Sequence, residues 1–248
     1  MRRFLLAAAA ALAIAIALVP GAYSAKKDKG HDQVWTRPDF ASLGVDRIAM
    51  LPAVTFDHNF QTATLVETAV GLAFKGTGYR WISANLTRDL LRARAGGDSI
   101  LKALDAMILK EPRVDSLSAP RVCAILGCDA LLSVRVDQWE QYRPEWNQAG
   151  KPSTTVQLKA ALVDSLGRLA WSAAGSYSGE GPYYDPSTTP VGVHDSDLDR
   201  RPVTALGGAP TFSEATSALL ARWVPSFPPK PAASGVAPAD SASGAQPH

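Results

Sequence analysis

The chain has 248 residues and a formal net charge of +2 at pH 7, from 25 Lys and Arg against 23 Asp and Glu. Because this charge is small and no basic cluster follows the first few residues, a nucleic-acid partner is not expected. No internal repeat is visible, so the length fits one domain of roughly 190 residues once both ends are set aside.

The amino terminus predicts a secretory signal peptide over residues 1–24. Two arginines precede an apolar run over 4–19, and a Pro-Gly break then leads to small residues ending at Ser24. An uncleaved membrane anchor is the alternative interpretation. The cysteine of a bacterial lipoprotein signal is missing here. We therefore expect a bacterial protein that is periplasmic or secreted, with no stable membrane span after cleavage.

Both ends of the mature chain are expected to lie outside the folded unit. Residues 25–40 are predominantly polar and are predicted to be a leader. Residues 225–248 are rich in Pro, Ala, Ser and Gly, with almost no large apolar residue. Such a composition cannot bury enough surface to offset its ordering entropy, so a disordered tail is predicted. The folded domain is thus expected over 41–224.

The first half of this domain predicts alternating strands and helices. Residues 46–56 form an apolar run typical of a buried strand. Segment 62–78 repeats its apolar residues at helical spacing and ends in glycines, as a helix with a glycine C-cap does. A short strand is expected at 79–83, and two more helices are expected with Asn85 and Asp98 as N-caps.

The second half predicts a meander closed by a helix. A short helix capped by Ser118 leads into strand 130–142, whose alternation predicts one buried and one wet face. A hairpin with a tight glycine turn is expected over 153–179, and a last helix begins at Thr211 or Ser213. The order β-α-β-α-α-α-β-β-β-α indicates an α/β (α+β) fold, a single domain with helices packed on a mixed sheet.

Three motifs resemble those of a cell-envelope family. They are Met-Leu-Pro at 50–52, the run LGCDALLSV at 126–134, and D-x-x-G-x-x-x-W at 164–171. This pattern is similar to the family that includes the curli secretion protein CsgG, the penicillin-binding-protein activator LpoB and the amino-terminal domain of TolB. The resemblance implies an accessory domain that binds another envelope protein and catalyses nothing. We expect no cofactor.

Aromatic residues interleaved with polar ones predict a binding surface. The candidate residues are Trp139, Tyr142, Arg143, Trp146, Tyr177, Tyr183 and Tyr184. A rim of Trp, Tyr and Arg is typical of protein-binding surfaces. The same rings could stack against sugars, so a glycan- or peptidoglycan-binding module is an alternative. A third interpretation is that they pack as a lid over the sheet edge.

Catalytic motifs are missing from the sequence. It contains no G-x-S-x-G, H-E-x-x-H or phosphate-binding loop, so we do not expect an enzyme. The alternative is a small periplasmic hydrolase with His58 as general base beside Asp195 or Asp197 of the long loop 181–210. These aspartates have the alternating spacing of a calcium loop but lack its Gly and Glu, so no metal site is predicted.

The two cysteines, Cys123 and Cys128, raise the question of redox or metal chemistry. Their C-x4-C spacing differs from the C-x-x-C of thioredoxin-like sites, and zinc needs further ligands nearby. If Gly127 is the left-handed C′ residue of the preceding helix, the two cysteines occupy the positions that touch in a Schellman cap. We therefore predict a structural joint that an oxidising compartment can close as a disulfide.

Overall fold

The fold is known for residues 32–145, 148–183 and 208–230, which the computed structural model describes. Several predictions fall on residues outside these ranges. They are the signal peptide 1–24, the leader up to 31, the tail beyond 230, Trp146, Tyr184, Asp195 and Asp197. Within the described ranges, no helix is long and apolar enough to cross a membrane.

A mixed sheet of seven strands is the centre of the fold over the described ranges. The strands are β1 (Gln33–Thr36), β2 (Arg47–Met50), β3 (Val54–Thr55), β4 (Arg80–Ile82), β5 (Ala130–Tyr142), β6 (Ser153–Asp164) and β7 (Leu169–Glu180). Their order is β1-β7-β6-β5-β2-β4, with β3 pairing beside β5. Strand β2 runs parallel to β4 and β5, whereas β5, β6, β7 and β1 form an antiparallel meander. The predicted α/β fold with a mixed sheet is confirmed.

In the part of the chain that the structure describes, five α-helices cover the two faces of this sheet. They are α1 (Phe60–Phe74), α2 (Ala84–Arg92), α3 (Gly97–Lys110), α4 (Ser118–Leu126) and α5 (Phe212–Trp223). Helices α1 and α5 bury Val66, Phe74, Leu219 and Trp223 against one face. Helices α2, α3 and α4 pack against the other face in a second apolar cluster. The sheet therefore separates two cores.

Strand β5 differs from its prediction because both of its faces are covered at its start. Leu132 lies in the core under α1 and α5, while its neighbour Leu131 lies in the core under α3 and α4. Ser133, expected on a wet face, is buried and donates its hydroxyl to the Pro112 carbonyl at 2.8 Å. Arg135 donates to the Leu109 carbonyl at 2.8 Å, near the end of α3. The polar residues of β5 thus satisfy backbone groups that α3 brings to the sheet.

The folded unit extends past both ends predicted from composition. Strand β1 lies within 25–40, the expected leader, and pairs antiparallel with β7. Phe227 lies within the expected tail, yet only 3% of it is exposed. Its ring packs 4.8 Å from that of Phe74 and 5.1 Å from that of Trp171. An edge strand gains its hydrogen bonds from a neighbour, and one aromatic ring can anchor a polar stretch, so composition alone misses both.

Three predicted helix caps are wrong by a few residues. Ser83, not Asn85, caps α2 by accepting the Leu86 N–H. Helix α3 begins one residue before Asp98, which lies in its first turn. Ahead of α4, Asp115 Oδ1 accepts the N–H groups of Leu117 and Ser118, so the cap lies upstream of Ser118 itself. The predicted cap of the last helix is confirmed, because Thr211 forms a capping box with Glu214.

Candidate functional site

The aromatic residues predicted to form a binding rim differ in exposure. Trp139 is half-buried, with its ring stacked on Phe212 at 4.5 Å between centroids and 9° between planes. Tyr177 is also half-buried against the core. Tyr142 and Tyr183, by contrast, are 54% and 61% exposed. For Trp139 this is the lid packing considered above, whereas a binding role for the others stays a prediction.

The predicted Arg143 lies at the exposed end of strand β5. Its guanidinium donates to the Gln141 side-chain oxygen at 2.8 Å. Arg143 is therefore held by a neighbour on its own chain and remains open to solvent.

A more continuous exposed surface lies on helix α1. Its outward residues, named here the α1 surface, are Phe60, Gln61, Thr64, Thr68, Gly71 and Leu72. Phe60 is 68% exposed and Leu72 is 70% exposed. None of the six is charged, although the face spans three turns of helix. An exposed helix face that carries two large apolar side chains and no charge is a candidate interaction surface.

The two threonine hydroxyls of the α1 surface are satisfied within the helix. The Thr64 hydroxyl donates to the Phe60 carbonyl at 2.9 Å, and the Thr68 hydroxyl donates to the Thr64 carbonyl at 2.8 Å. Such back-bonding takes the hydroxyl proton away from solvent. The surface is consequently less hydrophilic than its two threonines indicate.

Two grooves flank this surface. The first, of about 470 Å³, lies between α1 and α5 and is bounded by Phe60, Leu72 and Ser217. The second, of about 330 Å³, lies between α1 and the β4–α2 segment, where Trp81 and Ala84 form its wall. The exposed side chains of α1 therefore form a ridge between two depressions, a shape into which the side chains of another protein can interdigitate.

Gly71 lies next to Leu72, at the carboxyl-terminal end of this ridge, and no contact within the chain requires a glycine there. A Cβ at this position would have no described atom within 4 Å, and the residue is not in a left-handed conformation. Glycine within a helix costs about 0.5–1 kcal/mol relative to alanine. A residue that lowers stability without relieving a contact in its own chain is consistent with close approach by another molecule.

An ion pair beneath the surface fixes its amino-terminal end. Glu67 is buried and contacts Arg88 of α2 at 2.9 Å, while the same carboxylate oxygen accepts the Ala53 N–H at 2.9 Å. The Arg88 guanidinium also lies 5.9 Å from the centre of the Phe60 ring. Charge-assisted hydrogen bonds of this kind hold α1, α2 and the loop after β2 in one arrangement.

His58, the candidate general base, lies in the loop just before α1. It is exposed and has a left-handed φ of 56°, and its charged neighbourhood includes Asp105 of α3. Burial raises the pKa of Asp105, and His58 and Arg88 partly oppose this shift. The carboxylates that the hydrolase hypothesis requires, Asp195 and Asp197, lie outside the described residues. Within the described part of the chain, no three His, Cys, Asp or Glu side chains are grouped for a metal ion.

The cysteine joint has the predicted geometry. Gly127 ends α4 in a left-handed conformation, with φ 61° and ψ 45°. The Cys128 N–H donates to the Cys123 carbonyl at 3.2 Å, which is the long hydrogen bond of a Schellman cap. Both cysteines are buried free thiols in this structure.

The α1 surface was missed by sequence reasoning, although a signal for it exists. The apolar stripe Val66, Val70 and Phe74 accounts for the buried face, but Phe60 and Leu72 fall outside that stripe. Between residues 60 and 74 the only charged residue is Glu67, which is buried. A helix with no charge left for its wet face is the pattern that could have indicated an interface.

Comparisons with known proteins give similarity at the level of structure alone. No family model matches the chain, and no curated protein matches it. The lipoprotein GNA1162 from Neisseria meningitidis is 17% identical with a TM-score of 0.42, covering 62% of this chain and 94% of that one. The PelC dodecamer from Paraburkholderia phytofirmans is 14% identical with a TM-score of 0.39, covering 77% and 95%. The hypothetical protein CT253 from Chlamydia trachomatis is 12% identical with a TM-score of 0.40, covering 73% and 96%.

These similarities are too low to assign the chain to a family. The three neighbours are bacterial proteins, and one of them is a lipoprotein. The resemblance to the CsgG, LpoB and TolB group therefore stays a prediction from the sequence motifs.

Proposed function

We propose that this chain is a non-catalytic accessory protein of the bacterial envelope, periplasmic or secreted, that binds another envelope protein through the α1 surface. The observation that carries the proposal is the uncharged, exposed face of α1 between two grooves. The predicted signal peptide and the motif resemblance support the envelope location.

The chemistry of the α1 surface favours a protein over a small ligand. Phe60 and Leu72 project at opposite ends of a ridge about 18 Å long, since 12 residues of helix rise 1.5 Å each. Exposed aromatic and aliphatic anchors beside depressions are what protein interfaces use as hot spots. The partner is expected to present an apolar, weakly charged face whose side chains enter the α1–α5 groove.

The test is a comparison of binding by matched surface variants. The mature domain, its Leu72→Glu variant and its Leu117→Glu variant are immobilised and exposed to bacterial envelope extract, and bound proteins are quantified by mass spectrometry. Leu117 is the control because it is 87% exposed and lies just before α4, on the other side of the sheet. We expect one envelope protein to be recovered by the wild type and by Leu117→Glu, and at least tenfold less by Leu72→Glu.

Support requires that the recovered protein, purified on its own, bind the mature domain with the same dependence on Leu72. Circular dichroism and Tm establish that both variants fold. Equal binding by Leu72→Glu and the wild type would show that the α1 surface is not the interface. Recovery of no envelope protein by any form would overturn the protein-binding function.

Glycan binding is the second candidate, and the exposure of Tyr142 and Tyr183 favours it. Either ring can stack on a sugar, whereas Trp139 is covered by Phe212. Co-sedimentation with peptidoglycan sacculi separates the two functions. Loss of sedimentation on Tyr142→Ala, with no change on Leu72→Glu, would favour the glycan function over the proposed one.

A further inference from the structure

The cysteine joint combines close approach with isolation from solvent. The Schellman hydrogen bond brings the backbones of Cys123 and Cys128 together, and the two thiols lie close enough to shift each other's pKa. Residues five apart in a continuous helix would have Cα atoms about 8.6 Å apart, beyond the reach of a disulfide. The left-handed Gly127 departs from that geometry, because it turns Cys128 back so that its N–H reaches the Cys123 carbonyl.

The two thiols are not equivalent. Cys128 is 8% exposed and Cys123 is 3% exposed, so Cys128 is the more exposed of the two buried residues. The interaction between the two thiols lowers the pKa of Cys128 and raises that of Cys123, and burial raises both. The Ala49 N–H and the Arg47 guanidinium lower the pKa of Cys128 further, against the charge of Asp129. Exposure and charge therefore select the same sulfur as the nucleophile.

We propose that Cys123 and Cys128 are oxidised to a disulfide across the α4–β5 joint by thiol–disulfide exchange, with Cys128 attacking first and Cys123 second. The co-reactant is a disulfide-bearing oxidant, small or protein-borne. The Cys128 thiolate, its proton lost to solvent, bonds to one oxidant sulfur while the oxidant S–S bond breaks and the other sulfur leaves with the electron pair. The Cys123 thiolate then attacks Cys128 Sγ and expels the second oxidant sulfur.

The electrons balance, because two thiols lose two protons and two electrons while the oxidant disulfide becomes two thiols. The bond closes a loop of six residues that joins the end of α4 to the start of β5. Loop closure of this size is expected to raise Tm by about 3–8 °C. The joint lies under α3 and α4, on the side of the sheet away from α1, so the proposal is independent of the function assigned to the α1 surface.

The experiment uses the purified mature chain, first reduced and then incubated with oxidised glutathione. The protein is unfolded in guanidinium with a maleimide, and its mass counts the thiols that remain. We expect no maleimide to be added, an unreduced peptide that links Cys123 to Cys128, and a Tm that falls when dithiothreitol is added. Two maleimides per chain after prolonged incubation would overturn the proposal.

The order of attack is tested by two single-cysteine variants. Cys123→Ala loses the interaction between the two thiols but keeps the Ala49 N–H, the Arg47 guanidinium and the greater exposure of Cys128, so it is expected to form the glutathione mixed disulfide faster than Cys128→Ala. The reverse order, or equal rates, would overturn the assignment of Cys128 as the first nucleophile. If either variant fails to fold, acid quenching of the wild type early in the reaction traps the mixed disulfide. Peptide mapping must then place glutathione on Cys128, and glutathione on Cys123 contradicts the order.

Discussion

Helices α1 and α3 are nearly equal in length, yet their outward faces differ. Helix α1 has 15 residues and α3 has 14, and each buries one apolar stripe against the sheet. On α3 the exposed residues include Asp98, Lys102 and Lys110, whereas the exposed residues of α1 before its carboxyl end carry no charge. Packing dictates the inward stripe of both helices. Packing does not restrict the outward residues. The absence of charge from the exposed face of α1 is therefore an indication of function.

The largest expected loss of stability comes from substitutions on the buried faces of α1 and α3, where the two helices should respond alike. Phe74 of α1 is buried against Trp81, Trp171 and Phe227. Phe74→Ala removes these contacts and leaves a cavity, so we expect the free energy of unfolding to fall by about 3–5 kcal/mol.

The counterpart on α3 is Leu104, of which 3% is exposed. Leu104→Ala is expected to lower the free energy of unfolding by about 2–5 kcal/mol. Urea denaturation monitored by tryptophan fluorescence measures both losses. A loss below 1 kcal/mol for either variant would mean that the corresponding core is not closely packed.

Breaking the ion pair between Glu67 and Arg88, beneath α1, is expected to give the next largest loss of stability. Arg88→Ala leaves the buried Glu67 carboxylate with only the Ala53 N–H, so the free energy of unfolding should fall by about 2–3 kcal/mol. Arg92 of the same helix contacts Asp98 at 3.4 Å with both side chains exposed. Arg92→Ala is the matched control and should change stability by less than about 0.5 kcal/mol. Equal losses in urea denaturation would contradict the anchoring role of Glu67 and Arg88.

Gly71→Ala is expected to separate stability from binding. Because a Cβ at this position meets no described atom, the added methyl group should raise the free energy of unfolding by about 0.5–1 kcal/mol. The same methyl group stands on the ridge of the α1 surface, so partner recovery should fall. Denaturation and the binding assay on one preparation measure both changes. A variant that is more stable and binds equally well would place the partner away from Gly71.

Two aspartates should respond to pH in opposite directions. Burial raises the pKa of Asp105 on α3, so its ionised form is less favourable in the folded state than in the unfolded state. The stability from its protonated form is fully present below the unfolded pKa of about 3.9 and is lost as pH rises through the folded value. Asp105→Asn should therefore raise the free energy of unfolding at pH 7, and this gain should disappear at low pH.

Asp137 on β5 is the opposite case. Burial raises its pKa, but hydrogen bonds from Arg135 and Lys159 outweigh burial, and the net pKa is lowered. Its stabilising effect is present above the unfolded pKa of about 3.9 and is lost as pH falls through the folded value. Asp137→Asn should thus lower stability at pH 7 and have little effect at low pH. Thermal melts from pH 2 to 7 follow both variants, and parallel curves would contradict the opposed shifts.

The parts of the fold that follow from local periodicity could be predicted from the sequence. The stripe of α3, the hairpin turn with left-handed Gly167 and the capping box at Thr211 are set by residues close together in the chain. Strand β1 could not be predicted, because its four residues form a strand only beside β7, more than 130 positions away. The buried Ser133 was missed for the same reason, since its hydroxyl donates to the Pro112 carbonyl in the segment after α3, 21 positions away.

The candidate site was less predictable than the fold. Periodicity assigns residues to a face but does not say which faces remain uncovered once the chain is folded. The polar neighbours of Trp139 in the sequence predict a binding residue, yet Phe212 packs over its ring. Phe60 and Leu72 are residue types usually found in a core, yet no described element covers them. Exposure depends on tertiary contacts, so only the folded arrangement distinguishes these two cases.

The smallest expected change in stability tests the comparison of α1 and α3 most directly. Thr68→Lys places a charge on the α1 surface, and Lys102→Thr removes one from the exposed face of α3. Both changes are at solvent-exposed helix positions, so each should alter the free energy of unfolding by no more than about 0.5 kcal/mol. Partner recovery should nevertheless fall at least tenfold for Thr68→Lys, because the new ammonium group would be desolvated at an apolar interface, and stay unchanged for Lys102→Thr. If both variants bind like the wild type, the uncharged face of α1 is not an interface, and its composition needs an explanation within the chain itself.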